Sequence, residues 1–182
     1  MDGLTMRKAK QNIYENAELC QQCGGKCCQL MGCHFSPDDF KDLSYEGLKK
    51  EIDTGYISID WWEGDINKNR NEYSHIIFLR MRNKGASIVD ASWGGSQCFL
   101  WTEEAGCPLP FSARPKGARL VRPGTDECPT DYSKEQCVWD WRPYQEVLIK
   151  LKNDYYVAKI ETEFEKTLKI LKSFDEFLNT LS

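Results

Sequence analysis

No apolar run in the sequence is long enough to cross a bilayer, and the first ten residues, Met1-Asp-Gly-Leu-Thr-Met-Arg-Lys-Ala-Lys10, hold no stretch of the kind a secretory signal needs. The expectation is a cytoplasmic, reduced protein without a membrane partner. Positive charge is not in excess either. A formal charge of −4 and a pI near 5.3 give no general attraction to phosphate backbones, which argues against nucleic acid as a partner. Histidine occurs only twice, and there is no Ser-His-Asp ordering, phosphate-cradling glycine loop, dinucleotide fingerprint or His-Glu-x-x-His site, so hydrolase, nucleotide-binding and metalloprotease readings have no support. Low-complexity tracts and long repeats are also missing. With 182 residues and 41% hydrophobic content, a single domain with a real core is expected.

Cysteine, by contrast, is plentiful. Nine are present, and four of them fall in Cys20-Gln-Gln-Cys23-Gly-Gly-Lys-Cys27-Cys28. Thiolates are soft, strongly donating ligands suited to zinc and iron–sulfur clusters, and a two-residue gap lets two of them turn onto one ion. Gly24 and Gly25 permit tight turns that bring amide N–H groups toward sulfur. Adjacent Cys27 and Cys28 should diverge, one serving the same centre as Cys20 and Cys23, the other a second centre, a core or a partner thiol. Cys33, Cys98, Cys107, Cys128 and Cys137 lie further along, so folding must bring them in. An odd count in a reduced protein suits ligands plus a spare better than a closed set of disulfides.

Leu4, Ala9, Ile13 and Ala17 form a modest helical stripe leading to Cys20. Ser36-Pro37-Asp38-Asp39 has the form of a helix start, with the helix continuing to about Asp53 and stopping at Gly55. Tyr56–Trp61 alternates as a half-buried strand does, and Ser74–Arg82, Ala86–Asp90 and Gln97–Trp101 suggest further antiparallel strands, with turns at Asn83–Gly85 and Trp93–Gly95. Residues 111–131, rich in Pro, Gly and Arg, are expected to form an ordered loop pinned by Cys107 and Cys128. Ser133-Lys-Glu-Gln136 is a capping box that places Cys137 in the first turn of a helix carrying Val138, Trp141, Tyr144, Leu148 and Leu151, with Pro143 as a kink. Asn153-Asp154 is expected to break this helix from a last one. The last stripe, Ile160, Phe164, Leu168, Leu171, Phe174 and Leu178, is expected to pack on the preceding helix or the sheet in preference to forming a dimer seam. The fold class is α+β: a small antiparallel sheet, metal-stapled cysteine-rich loops, flanking helices and a C-terminal helical pair. Residues 1–138 form the cysteine-cluster core and 139–182 a helical segment packed on it, one domain overall.

The front run, then Ser36-Pro-Asp-Asp-Phe40, Cys98-Phe-Leu, Gly106-Cys107-Pro and Phe111-Ser-Ala-Arg114-Pro115, resembles the bacterial cysteine-cluster proteins of the YkgJ type. These are described as zinc- or iron-chelating and look distantly similar to flagellin lysine N-methylases. The resemblance covers about Cys20 to Trp141 and implies that Cys20, Cys23, Cys27, Cys28, Cys98 and Cys107 hold metal. This chain departs from the family pattern after Arg114-Pro115, where a cysteine is usual and Ala118 stands, so Cys128, Cys137 or Cys33 must complete any later site. The ligand set taken forward is Cys20, Cys23, Cys27, Cys28, Cys98, Cys107, Cys128 and Cys137, with Cys33 and His34 left open.

Spacing alone does not choose between an iron–sulfur cluster and Zn2+, since both accept four thiolates. Adjacent cysteines are rare in zinc knuckles, which tips the balance slightly to iron–sulfur. Three functional classes follow: a metal-cluster protein in redox or metal handling; an iron–sulfur-dependent enzyme modifying a protein or peptide, such as a lysine methylase; and a zinc-stapled module that binds a protein partner without catalysis. Among other residues, Arg114 and Arg119 either bind an anion or hold their loop together, Trp61, Trp62 and Trp93 suit core packing or a pocket, and His75 suits a structural place in a strand. A nucleophilic Cys137 ranks below metal ligation.

Overall fold

Strands β1 (Ile57–Gly64) and β2 (Ser74–Met81) pair antiparallel, in register from Ile57 opposite Met81 to Gly64 opposite Ser74. The computed structural model describes residues 12–30, 32–64, 74–90, 96–124 and 128–180. Around the hairpin lie helices α1 (Ala17–Cys23), α2 (Lys26–Leu30), α3 (Tyr45–Asp53), α4 (Lys116–Arg119), α5 (Lys134–Trp141) and α6 (Gln145–Thr180), so the chain is α+β. Alternate strand residues Ile59, Ile77 and Leu79 are buried with Leu48 and Ile52 of α3, Val138 and Trp141 of α5, and Leu148 and Leu151 of α6. The other face is also covered: Ser58, Asp60 and Arg80 are buried. Arg80 is satisfied there by Asp60 at 2.8 Å and Asp90 at 3.0 Å.

Two strands leave two open edges, and short segments close both. Along β2, the Phe35 amide donates to the Leu79 carbonyl and the Met81 amide to the Cys33 carbonyl, both at 2.9 Å. Further up the same strand, the Gln145 side-chain amide accepts from the Ile77 N–H and donates to its carbonyl, each at 2.8 Å. Such coverage removes the unpaired backbone row that makes an edge strand sticky. The expected strands at 86–90 and 97–101 are therefore absent as strands. With β2 already flanked, the chain leaving the Asn83–Gly85 turn (Gly85 at φ 77°) crosses to the free edge of β1, where Val89 makes one parallel bridge with Ile59. Cys98 makes a single bridge with Asn83.

The start at Ser36 gives only a 3-10 turn over Pro37–Asp39, after which Phe40 is extended and Ser44 caps a separate helix α3. Ser133 and Gln136 form the expected capping box of α5, and Pro143 sits in a 3-10 turn between α5 and α6. Asn153-Asp154 does not break α6, which runs unbroken for 36 residues. Neither residue stops a helix as Gly or Pro does, since their propensity penalties are only a few tenths of a kcal/mol to ~0.7 kcal/mol. Nor is the loop at 111–131 irregular throughout: it contains a 3-10 turn at Phe111–Ala113, helix α4 behind Pro115, and a Val121–Thr130 bridge. Leu4, Ala9, Trp93 and the turn at 93–95 lie outside the described residues. No described helix is long and apolar enough to cross a membrane.

Candidate metal centre

Asn16 caps α1 by accepting from the Leu19 amide at 3.0 Å, so Cys20 and Cys23 sit on consecutive turns of one short helix. Gly24 (φ 63°) ends that helix in the left-handed conformation and Gly25 (φ 76°) repeats it, reversing the chain into α2, which carries Cys27 and Cys28. A side chain at Gly25 would also meet the Trp101 indole at 3.1 Å, so both the turn and the close approach require glycine there. The Trp101 indole N–H donates to the Gly24 carbonyl at 2.8 Å and locks the reversal against the later part of the chain.

Further main-chain bonds bring the distant cysteines to this point. Cys98 donates its amide to the Cys28 carbonyl at 2.7 Å, while Phe99 donates to Arg82 at 2.8 Å, just past the end of β2. Thr102 and Gly106 exchange amide–carbonyl bonds at 3.1 and 2.8 Å, a tight loop that returns Cys107 toward Cys27. Cys33 arrives through its bond to Met81. Behind it, Gly32 lies so close to β2 that an added Cβ would stand 1.9 Å from the Met81 carbonyl oxygen.

The thiols group around Cys28, which is buried in a small second core with Met81, Cys98 and Trp101. Its thiol hydrogen-bonds with the side chains of Cys107, Cys27, Cys33 and Cys98, and with burial these push its pKa upward. The partners move the other way. The bond to Cys28 lowers Cys27 and Cys98 to about 7 and Cys107 to about 6, against the opposing effect of burial. Arg114 adds to the lowering of Cys27 and Cys107. Thiols drawn toward the thiolate form are the chemistry that soft-metal ligation needs. Among the described residues, no group of three or more His, Cys, Asp or Glu side chains is disposed as a ready-made ion site. None of the nine cysteines is in a disulfide.

A cleft of about 420 Å³ opens beside this group, lined by Cys20, Cys23, Cys27, Cys107, Cys128 and Arg114 among others. Cys27 and Cys107 thus belong both to the group around Cys28 and to the cleft wall. Burial raises the Cys20 thiol, with Arg114 opposing. The Arg114 Nε donates to the Leu109 carbonyl at 3.0 Å. Its loop is held from behind, since Arg119 donates to the Arg114 carbonyl at 2.7 Å and to Asp39 at 2.8 Å, and Gly117 donates to the His34 carbonyl at 3.0 Å.

Eight cysteines therefore lie in one neighbourhood, but not the eight taken from the sequence. Cys137 is elsewhere: fully buried in the main core, its Sγ donates to the Phe35 carbonyl at 3.4 Å, and burial raises its pKa, which also removes the basis for a nucleophilic role. Cys33 takes its place in the grouping. The signal for Cys33 was weak in sequence, because only the pairing of 33–35 with β2 sets its position. His34 is half-buried and edge-on to Phe78 at 5.2 Å, its Nε2 without a hydrogen-bond partner, and burial lowers its pKa to about 4. Trp61 and Trp62 pack beneath Lys152 and Lys134, at 3.9 and 5.1 Å, away from the cleft. Compared with known proteins, the chain has no match among family models, curated proteins or solved structures.

Proposed function

We propose that this is a metal-binding cysteine-cluster protein whose thiolates hold an iron–sulfur cluster or Zn2+, acting in redox or metal handling. The observation that carries the reading is the convergence of Cys27, Cys33, Cys98 and Cys107 on Cys28 from four separate stretches of chain. A reduced core has no packing reason to gather five thiols, each a weak hydrogen-bonding group, where aliphatic side chains would fill the space better. The residues fit the group: four thiolates satisfy either metal, and the Cys28 set together with Cys20, Cys23 and Cys128 supplies enough sulfur for one or two centres. The resemblance of the front run to the YkgJ-type proteins points the same way.

When bound, such a centre would supply electron transfer if iron–sulfur, or a structural staple if zinc. The chain's own contribution is to hold Cys28 away from water, to turn the backbone at Gly24 and Gly25 between α1 and α2, and to keep Arg114 near the thiols as a counter-charge. The cleft favours a second reading, an iron–sulfur-dependent enzyme acting on a peptide or lysine, because a thiol-lined opening of this size admits an extended side chain. Anaerobic purification followed by iron, sulfide and zinc analysis tests both. Iron with matching sulfide and broad visible absorption supports the cluster, stoichiometric zinc without colour supports the staple, and absence of both under anaerobic loading refutes the proposal.

A further inference from the structure

Two residues beyond β2, Asn83 is fully buried, and only one half of its side-chain amide is satisfied. Its Oδ1 accepts from the Gly32 N–H at 2.7 Å, which fixes the oxygen on that side and leaves Nδ2 as the free end. Nδ2 is buried and has no hydrogen-bond partner. An amide donor left unmet and out of reach of water is costly, so such an exception calls for an explanation.

The backbone says what this donor faces. Phe99 donates to the Arg82 carbonyl and Lys84 to the Gln97 carbonyl, each at 2.8 Å, so Asn83 and Cys98 stand opposite one another as the pair without mutual bonds. That is the closer of the two antiparallel pairings, with Cα atoms roughly 4.5 Å apart and both side chains on one face. The Cys98 thiol on that face bonds to Cys28. Gly32, which holds the oxygen end of the amide, immediately precedes Cys33, another thiol of the group. Asn83 is thus set between the stretches of chain that deliver two of the five sulfurs. Protonated thiols can donate to one another and ask nothing of Asn83. Metal ligation takes those protons away and leaves buried sulfur anions that can only accept, and a bond from N–H to such an anion is of the strong, charge-assisted kind.

We infer that Asn83 is a positioning residue of the metal centre, its Nδ2 N–H donating to a ligand thiolate, of which Cys98 is the one paired opposite it. The inference rests on the metal-binding proposal. It is tested by titrating the full, nitrogen-isotope-labelled chain with Cd2+, a soft ion suited to thiolates, without oxygen and following the side-chain amide by magnetic resonance. One Nδ2 proton of Asn83, assigned through its own backbone, should move downfield and couple to spin-active cadmium. A residue that merely holds Gly32 would show neither effect. Asn83→Asp keeps an oxygen for the Gly32 N–H but removes the donor, and should hold Cd2+ about 10-fold or more weakly in competition with a chelator. Failure of the parent chain to take up Cd2+ would overturn this inference together with the metal reading. Uptake that leaves the Asn83 amide unmoved, or parental affinity in Asn83→Asp, would overturn this inference alone.

Discussion

Cys98 donates its main-chain amide to the carbonyl of Cys28 at 2.7 Å, and the two thiols also bond to each other. Backbone and sulfur are therefore fastened at one point, and Cys28 is the thiol that the others share. On the metal-binding proposal, Cys28→Ala should abolish metal content measured by mass spectrometry. Cys137→Ala, by contrast, should retain full metal and lose only core packing and one weak hydrogen bond, about 1–3 kcal/mol in denaturant unfolding. Loss of metal in the Cys137 variant alone would place the centre in the wrong half of the molecule.

Gly32 offers a probe that touches no sulfur. A methyl group there would collide with the Met81 carbonyl, a main-chain atom that cannot rotate away. Gly32→Ala should destabilise the fold by about 3 kcal/mol and displace Cys33 from the group. Thermal unfolding gives the first effect. Stability equal to the parent would mean that this approach is looser than 1.9 Å implies.

Burial raises the Asp60 carboxyl above its ordinary value, and Arg80 is the strongest opposing influence. Arg80→Met would strand that buried carboxylate and cost about 3–5 kcal/mol at pH 7. The carboxyl pKa then rises further in the folded state, so the fold takes up a proton more readily than the unfolded chain. Stability lost at high pH returns as pH falls toward the ordinary carboxylate range. Urea unfolding of parent and variant should accordingly show a smaller penalty at pH 5 than at pH 7, and a penalty independent of pH would contradict the assignment.

Arg114 stands beside the cleft thiols and is braced by Leu109 and Arg119. Arg114→Met keeps much of the side chain's bulk but removes the charge. Competition with a chelator should show metal held about 10–100-fold more weakly, the range found when groups supporting metal ligands are removed. Arg119→Met at the back of the loop should produce a smaller change, since Arg119 reaches the loop carbonyl and Asp39.

Several features were legible because they are local. The capping box at Ser133 and the stop at Gly55 rest on the conformational limits of a few adjacent residues, and the strand at β1 rests on a simple alternation. The expected sheet of four strands failed at a non-local step: nothing near Ala86 or Gln97 records that residues 33–35 already occupy the neighbouring edge of β2. The break expected at Asn153 failed for a related reason. Burial of Leu148 and Leu151 anchors one end of α6, and a helix once begun extends through residues of indifferent propensity.

By itself the sequence determined that nine thiols must be accommodated and that the first four crowd around two glycines able to turn the chain tightly, because residue type and spacing fix those; that they lie on two short helices is a finding of the structure. Which other thiols join them was decided only in three dimensions. Cys33 and Cys137 are equally plain cysteines in the sequence. One lies beside the end of β2, the other faces the main core from α5, and that difference arises from strand-edge pairing and helix packing, which depend on contacts between residues far apart in the chain.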